Sequence, residues 1–363
     1  MPKIKVIALY LPQFHPTPDN DEWWGKGFTE WTNVGKAKAL FRGHSQPKVP
    51  ADLGYYDLRL PETREAQVEL AKEAGVDAFC YYHYWFGNGV EELERPFKEV
   101  VESGKPDFPF CLCWANESWY AKLWNMDGTV SKKALAEQVY PGDDDIIAHF
   151  YSLLPAFKDS RYVRVDGRLF FMLYMPLEYP EVSHFMELWN QLAKENDLGG
   201  FYFVGHLVHG TEITQTNVEK ILLRGFDAVN VAGLFRAIKQ RTNFWIRCKH
   251  KFLNRPYIFK YKDLLPLLIT EEDNRDEIIP TITPNWDHTP RSGASGTVVT
   301  GVTVDLFKQI VKKAVSIVKN RKAPIIILKA WNEWGEGNYM EPDIINGKKY
   351  IKALREVLDA ESD

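Results

Sequence analysis

The chain has 363 residues, 45% of them hydrophobic and 26% charged, the balance of an ordinary globular protein. Its 45 Lys or Arg against 49 Asp or Glu leave a net charge of -4, which argues against a general nucleic-acid binder. No run reaches the roughly 18 apolar residues that a membrane-spanning helix needs, so a membrane span is excluded.

Residues 4–11 read as a first strand, followed by a loop rich in Trp, Gly and Pro to about residue 60. Pro61 opens a helix over 61–74 and Gly75 ends it. A second strand is predicted at 76–84, a helix at 93–102 and a third strand at 109–114. Helices at 143–157 and 181–195 enclose a fourth strand at 169–174. Strand five covers 201–205, a short helix 218–223 and strand six 228–231. A further helix is placed at 256–272, strand seven at 278–283, a helix at 304–319 and strand eight at 324–330. Residues 347–358 close the chain as a helix. Eight strands separated by helices or long loops point to a single (β/α)8 TIM barrel with long decorated loops over residues 1–363. A doubly wound open sheet is the rival. No Gly-rich phosphate fingerprint follows the first strand, which weakens it.

Cys80, Cys111, Cys113 and Cys248 form no CxxC pattern and read as reduced cysteines of a cytoplasmic protein, three of them in core strands. The N-terminal apolar stretch is too short for a signal peptide, so a cytoplasmic location is expected unless a leader has been trimmed. His206 with His209, and Cys248 with His250, are close in sequence, but nothing nearby completes a ligand set. Neither a metal nor any other cofactor is expected.

Catalytic groups of a barrel come from the C-terminal ends of its strands. Strand one delivers Tyr10, Gln13 and His15, and its loop adds Trp23, Trp24, Glu30 and Trp31. Strand two ends in Tyr81-Tyr-His-Tyr-Trp-Phe86, which offers His83, Tyr84 and Trp85, and strand three in Trp114-Ala-Asn-Glu117, which offers Asn116 and Glu117. Tyr174 ends strand four, His206 follows strand five, and strand seven runs into Trp286, Asp287 and Arg291. Strand eight runs into Lys329-Ala-Trp-Asn-Glu-Trp-Gly-Glu-Gly337, where Glu333 and Glu336 stand among Trp331 and Trp334.

A carboxylate pair among aromatic rings is the equipment for breaking glycosidic bonds: one carboxyl protonates the leaving oxygen, the other acts as base or nucleophile. Gly335 permits a helical turn that brings Glu333 and Glu336 about 5–6 Å apart, the short spacing linked to retention. The bland alternative is two solvated loop acids. Glu117 is either a further acid of the site or a structural group, and Asp287 either binds a hydroxyl or orients Arg291. His83 and His206 are either core histidines or hydroxyl binders. Trp23, Trp24, Trp85, Trp119, Trp286 and Trp334 are candidate sugar platforms, because indole offers a flat apolar face with one polar edge. Residues 236–262 hold nine Lys or Arg, no Asp or Glu, and interleaved aromatics. They are either a solvated basic loop or a surface for an anionic glycan, a nucleotide-sugar, a lipid-linked pyrophosphate or a peripheral membrane contact.

The segments Tyr10-Leu-Pro-Gln-Phe-His15, Gly27-Phe-Thr-Glu-Trp-Thr-Asn33 and Tyr81-Tyr-His-Tyr-Trp-Phe86 resemble the WbsX-like family. So do Trp114-Ala-Asn-Glu117, Asn285-Trp-Asp-His-Thr-Pro-Arg291 and Trp331-Asn-Glu-Trp-Gly-Glu-Gly337, and the likeness runs to about residue 355. This resemblance implies surface-polysaccharide or lipopolysaccharide biosynthesis, and a fold similar to glycoside hydrolase family ninety-nine, the endo-acting α-mannosidases and mannanases. It further implies that Glu333 acts as a base on the sugar 2-hydroxyl and Glu336 as general acid, with retention through an epoxide-like intermediate on α-manno- or α-rhamno-configured substrates. Two alternatives stand beside a retaining hydrolase: a glycosyltransferase or transglycosylase, and a non-catalytic glycan-binding barrel.

Overall fold

The computed structural model describes residues 3–124, 130–209 and 213–361. Eight parallel strands form its centre: β1 (Lys5–Tyr10), β2 (Ala78–Trp85), β3 (Phe110–Trp114), β4 (Arg168–Leu173), β5 (Phe201–Leu207), β6 (Ala228–Val231), β7 (Ile278–Ile282) and β8 (Ile325–Leu328). Strand β1 pairs on one side with β2, Ile7 opposite Ala78, and on the other with β8, Val6 opposite Ile326. The sheet therefore closes on itself and keeps no free edge in this ring. Both faces of the strands are covered, which is why β2 (AFCYYHYW) and β8 (IIIL) are buried at every position.

The outer layer consists of α1 (Pro61–Ala74), α2 (Arg95–Ser103), α3 (Asp143–Lys158), α4 (Val182–Glu195), α5 (Gln215–Leu223), α6 (Tyr261–Leu268), α7 (Val304–Val318) and α8 (Lys349–Ala360). Helix α1 starts on Pro61 and stops at Gly75, a left-handed cap with φ 81. In α7 the buried residues Phe307, Ile310, Val311, Ala314, Val315 and Val318 form one stripe at helical spacing. Helix α8 packs against both α7 and α1, so the last helix closes the ring beside the first. The (β/α)8 barrel expected from the sequence is the architecture observed.

Three local expectations need correction. Residues 256–272 are not one helix: Tyr257–Lys260 is a strand paired in parallel with Thr297–Thr300, α6 follows, and Glu271–Asn274 is a 3-10 turn. The Tyr-Ile-Phe run after Pro256 has strand chemistry, and the helical pattern begins only at Tyr261. The basic stretch is not a loop but contains the helices Gly233–Arg241 and Phe244–Leu253. The loop after β1 holds the helices Pro18–Trp24 and Glu30–Lys36, capped by the Thr17 and Thr29 hydroxyls. After β3, Trp119–Trp124 and Val130–Ala136 pair as an antiparallel hairpin.

Candidate active site

Beyond β8 the chain makes a tight hairpin across the barrel mouth. Asn332–Glu333 pairs with Asn338–Tyr339, and Trp334–Glu336 forms the turn between them. Asn332 pins this hairpin to the end of β1: its Oδ1 accepts from Leu11 N at 2.7 Å and its Nδ2 donates to Leu11 O at 3.0 Å. Gly337 has φ 58, and a Cβ there would lie 2.7 Å from Asp287 Cβ, so position and backbone both demand glycine. Asp287 N in turn donates to Glu336 O at 2.6 Å, which ties the hairpin to the loop after β7.

The turn delivers two carboxylates onto one cation. Lys329 Nζ lies 2.8 Å from Glu333 Oε2 and 3.8 Å from Glu336 Oε2, and donates to Tyr82 Oη at 3.2 Å. Glu333 Oε2 also accepts from Asn338 Nδ2 at 3.2 Å. Glu336 Oε1 accepts from Arg291 Nη1 at 2.6 Å, and Arg291 Nε donates to Glu30 Oε1 at 2.9 Å. Glu336 Oε2 is buried with no hydrogen-bond partner among the described residues. Gly335 makes the Glu30–Arg291–Glu336 clamp possible, since a Cβ there would fall 1.6 Å from Glu30 Oε1 and 3.0 Å from Arg291 Nε.

Burial and the neighbouring charge of Glu336 push the Glu333 carboxyl above its ordinary range, against Lys329 and Arg291. Burial acts the same way on Glu336, but Arg291 and Lys329 outweigh it and hold that carboxyl below its ordinary range. Burial disfavours the Lys329 ammonium, yet Glu333 and Glu336 outweigh it and keep the group protonated. The two neighbouring carboxyls are thus pushed in opposite directions, which separates their acidities. In the sugar-free site Glu333 is therefore the weaker acid of the two, the reverse of the order that the roles implied by the resemblance require.

These groups open into a cavity of about 590 Å³, a size that admits a small oligosaccharide segment. Its wall contains Glu333 and Glu336 together with Trp24, Tyr84, Glu117, Tyr174 and Arg291, all anticipated from the sequence. Burial pushes the Glu117 carboxyl up. Gln13, Glu30, Tyr82 and Trp119 also line the wall.

The remaining expected sugar contacts sit away from this wall. Tyr10 turns outward and donates to Gln67 on α1 at 2.6 Å. His83 meets His149 on α3, with 2.8 Å between their Nε2 atoms, and Trp85 Nε1 donates to Asp145 at 3.1 Å. Strand alternation is the reason: Tyr82 and Tyr84 face the cavity, so His83 and Trp85 face the helices. Asn116 braces the chain after β4, accepting from Met175 N and donating to Met175 O. His206 faces the barrel interior, bonded to Asn230 at 2.6 Å, its ring 5.4 Å from that of Tyr174. Trp286 stacks on His288 and meets Phe235 edge-on. Asp287 accepts from His44, Gln46 and Thr289, a structural knot at the base of the turn carrying Arg291. Trp331 is fully buried against Phe79, and Trp334 stacks on Tyr339 and donates to Glu341 at 2.6 Å.

Sequence reasoning passed over Lys329 and Tyr82 as site residues. A lysine closing a wholly apolar strand run is itself a signal, because a buried ammonium requires anionic partners. Among the described residues no group of three or more His, Cys, Asp or Glu side chains converges in a way that could hold a metal ion.

A family described as Glycosyltransferase WbsX matches residues 6–354. A protein named WxcX from Xanthomonas campestris pv. campestris (strain B100) is 33% identical over 367 residues, covering 99% of this chain. Its counterpart from strain ATCC 33913 is 34% identical over the same length. The chain spans about half the length of these curated relatives, 50% in each case. Among solved structures, a GH99 endo-alpha-mannosidase from Bacteroides thetaiotaomicron superposes with a TM-score of 0.59 at 13% identity, covering 98% of this chain and 97% of that one. A glycoside hydrolase-like protein gives 0.62 at 14% identity, covering 99% and 94%. At these identities the likeness is one of fold.

Proposed function

This chain belongs to the WbsX glycosyltransferase family, and on that premise we propose a carbohydrate-active enzyme that cleaves α-manno- or α-rhamno-configured bacterial polysaccharide with retention through Glu333 and Glu336. The observation that carries this reading is the pair itself: two carboxylates on one buried ammonium, pushed apart in acidity, at the floor of an aromatic cavity. Tyr82, Tyr84 and Tyr174 offer rings and hydroxyls to a bound sugar, and Trp24 and Trp119 add indole faces to the same wall.

Glu333 is the base and Glu336 the acid. The hydrogen-bond donors Lys329 and Asn338 suit Glu333 to accept a proton from a sugar, and the unpartnered Oε2 of Glu336 is free to give one. In the productive complex Glu333 is ionised and Glu336 carries the proton. Glu336 then protonates the leaving oxygen as its bond to the anomeric carbon breaks, while Glu333 takes the 2-hydroxyl proton and that oxygen closes on the same carbon. Water opens the ring from the opposite face, losing its proton to Glu336 as Glu333 returns one to the 2-oxygen. Two inversions give net retention.

Glu336→Gln is expected to lower turnover of natural glycans by about 10²–10⁴-fold and to spare aryl glycosides with acidic leaving groups. Glu333→Gln is expected to abolish both activities. The opposite pattern reverses the two roles, and unchanged glycan turnover in Glu336→Gln, or an inverted product by NMR, ends the proposal. The family's description favours a second reading, in which an acceptor sugar replaces water. Elongated products in the presence of an acceptor glycan distinguish transfer from hydrolysis.

A further inference from the structure

The helix Phe244–Leu253 has no buried residue. Phe244, Trp245 and Phe252 are 70%, 71% and 77% exposed. At 100° per residue, Phe244, Cys248, Phe252 and Trp245 fall on one continuous face. The other side holds Ile246, which packs on the core, and His250, which stacks on Tyr257 and bonds to Arg255 O. The aromatic face therefore points away from the protein. Arg247 and Lys251 border it on one side and Lys249 on the other.

The surrounding charge has one sign. Of the nine Lys or Arg in residues 236–262, Arg236 is buried and paired with Asp273. The others are exposed, and none makes an ion pair among the described residues. This holds in a chain whose net charge is -4, so the positive field is local to the patch.

The helix is preceded by Gly233–Arg241, which itself leaves the C-terminal end of β6. The strand Tyr257–Lys260 ties it to Thr297–Thr300, next to the loop that carries Arg291. Among the described residues no helix is long and apolar enough to cross a membrane.

We propose that this face docks on the surface of an anionic lipid bilayer, with Phe244, Trp245 and Phe252 entering the headgroup layer. Two features select a bilayer. Flanking cations meet the charge of anionic lipids, and outward aromatic rings suit the boundary between headgroups and acyl chains. A soluble polyanion would use the cations and leave the rings in water. Docking itself does not depend on the proposed chemistry, so Glu336→Gln should bind vesicles like the wild type.

Co-sedimentation with phosphatidylcholine vesicles, with and without phosphatidylglycerol, tests this. Binding is expected only to the anionic vesicles and weakens with salt. Near an anionic surface each Lys or Arg contributes roughly fivefold to partitioning. The triple change Arg247→Gln, Lys249→Gln, Lys251→Gln should therefore lower it by about a hundredfold. Phe244→Ser, Trp245→Ser, Phe252→Ser should also release the protein, with circular dichroism and melting unchanged because all three rings are exposed. The proposal is overturned if the aromatic variant binds like the wild type, or if both vesicle types bind equally. It is also overturned if a soluble acidic polysaccharide strips the protein from vesicles through the same residues. Failure to bind vesicles, with self-association that the aromatic variant loses, would instead identify the face as a contact between copies.

Discussion

Arg291 sets the acidity of the pair. Its guanidinium bridges Glu30 and Glu336, at 2.9 and 2.6 Å, and it is the largest influence lowering the Glu336 carboxyl. A pair that works with one proton fails in acid when both carboxyls are protonated, and in alkali when both are ionised. Removing a cation destabilises the ionised forms, so both limits move to higher pH. Arg291→Gln should thus displace the whole kcat/KM profile towards alkali, by about one to three pH units for a direct carboxylate partner. A profile that falls in height without moving would place Arg291 in sugar binding alone. The clamp also explains why this site was half legible in sequence. Glu333, Glu336 and Arg291 announce themselves as charged groups in aromatic, Gly-rich turns. Glu30 lies more than 250 positions from Arg291, in a loop that looks unstructured, and only the fold pairs them (sequence separation 261).

At the level of elements, the barrel was readable because each strand is an apolar run and each helix has its own start and stop signals. Side-chain direction was less so. Tyr81-Tyr-His-Tyr-Trp-Phe86 offers a polar or aromatic group at every position, and composition alone does not say which parity faces the cavity. The structure answers with Tyr82 and Tyr84, leaving His83 and Trp85 to α3. Tyr10 and Trp334 belong to a different element-level device. Glu341, just past the hairpin, accepts from Tyr56 at 2.9 Å, Gln67 at 2.6 Å and Trp334 at 2.6 Å, and Gln67 also holds Tyr10. This buried carboxyl fastens the hairpin that carries Glu333 and Glu336 to α1 and the loop before it. Burial pushes it up to about 7 despite the three donors. Its folded value lies above the unfolded one. The stability it lends is therefore fully present below the unfolded pKa and is lost as pH rises through about 7. In urea melts, the stability difference between wild type and Glu341→Gln should change by about 2–3 kcal/mol between pH 5 and pH 8, in the direction of a weaker wild type at pH 8. A difference that stays constant across this range would mean that the carboxyl is ionised throughout.

For the whole molecule, closure is the decisive feature. Strand β1 holds both β2 and β8, and α8 fills the groove between α7 and α1, so the two ends of the described chain complete one wall. Helix α8 buries Ile351, Leu354 and Val357 completely or nearly so, and Leu358 reaches Gly75 at the end of α1. Three such side chains contribute roughly 5–9 kcal/mol of apolar burial, as an upper estimate. That is comparable with the whole net stability of a typical domain, about 5–15 kcal/mol. Removing residues 349–361 should therefore unfold the barrel as a whole and not merely fray one end. The full chain is expected to melt in a single step, with tryptophan fluorescence and far-UV circular dichroism giving coincident curves, and the shortened chain to show neither a folded spectrum nor a transition. A shortened chain that retains a cooperative melt would mean that the ring of strands holds itself closed without its last helix. The hairpin that carries Glu333 and Glu336, which lies between β8 and α8, would then be anchored by β1, the loop after β7 and the Glu341 contacts to α1 without help from α8.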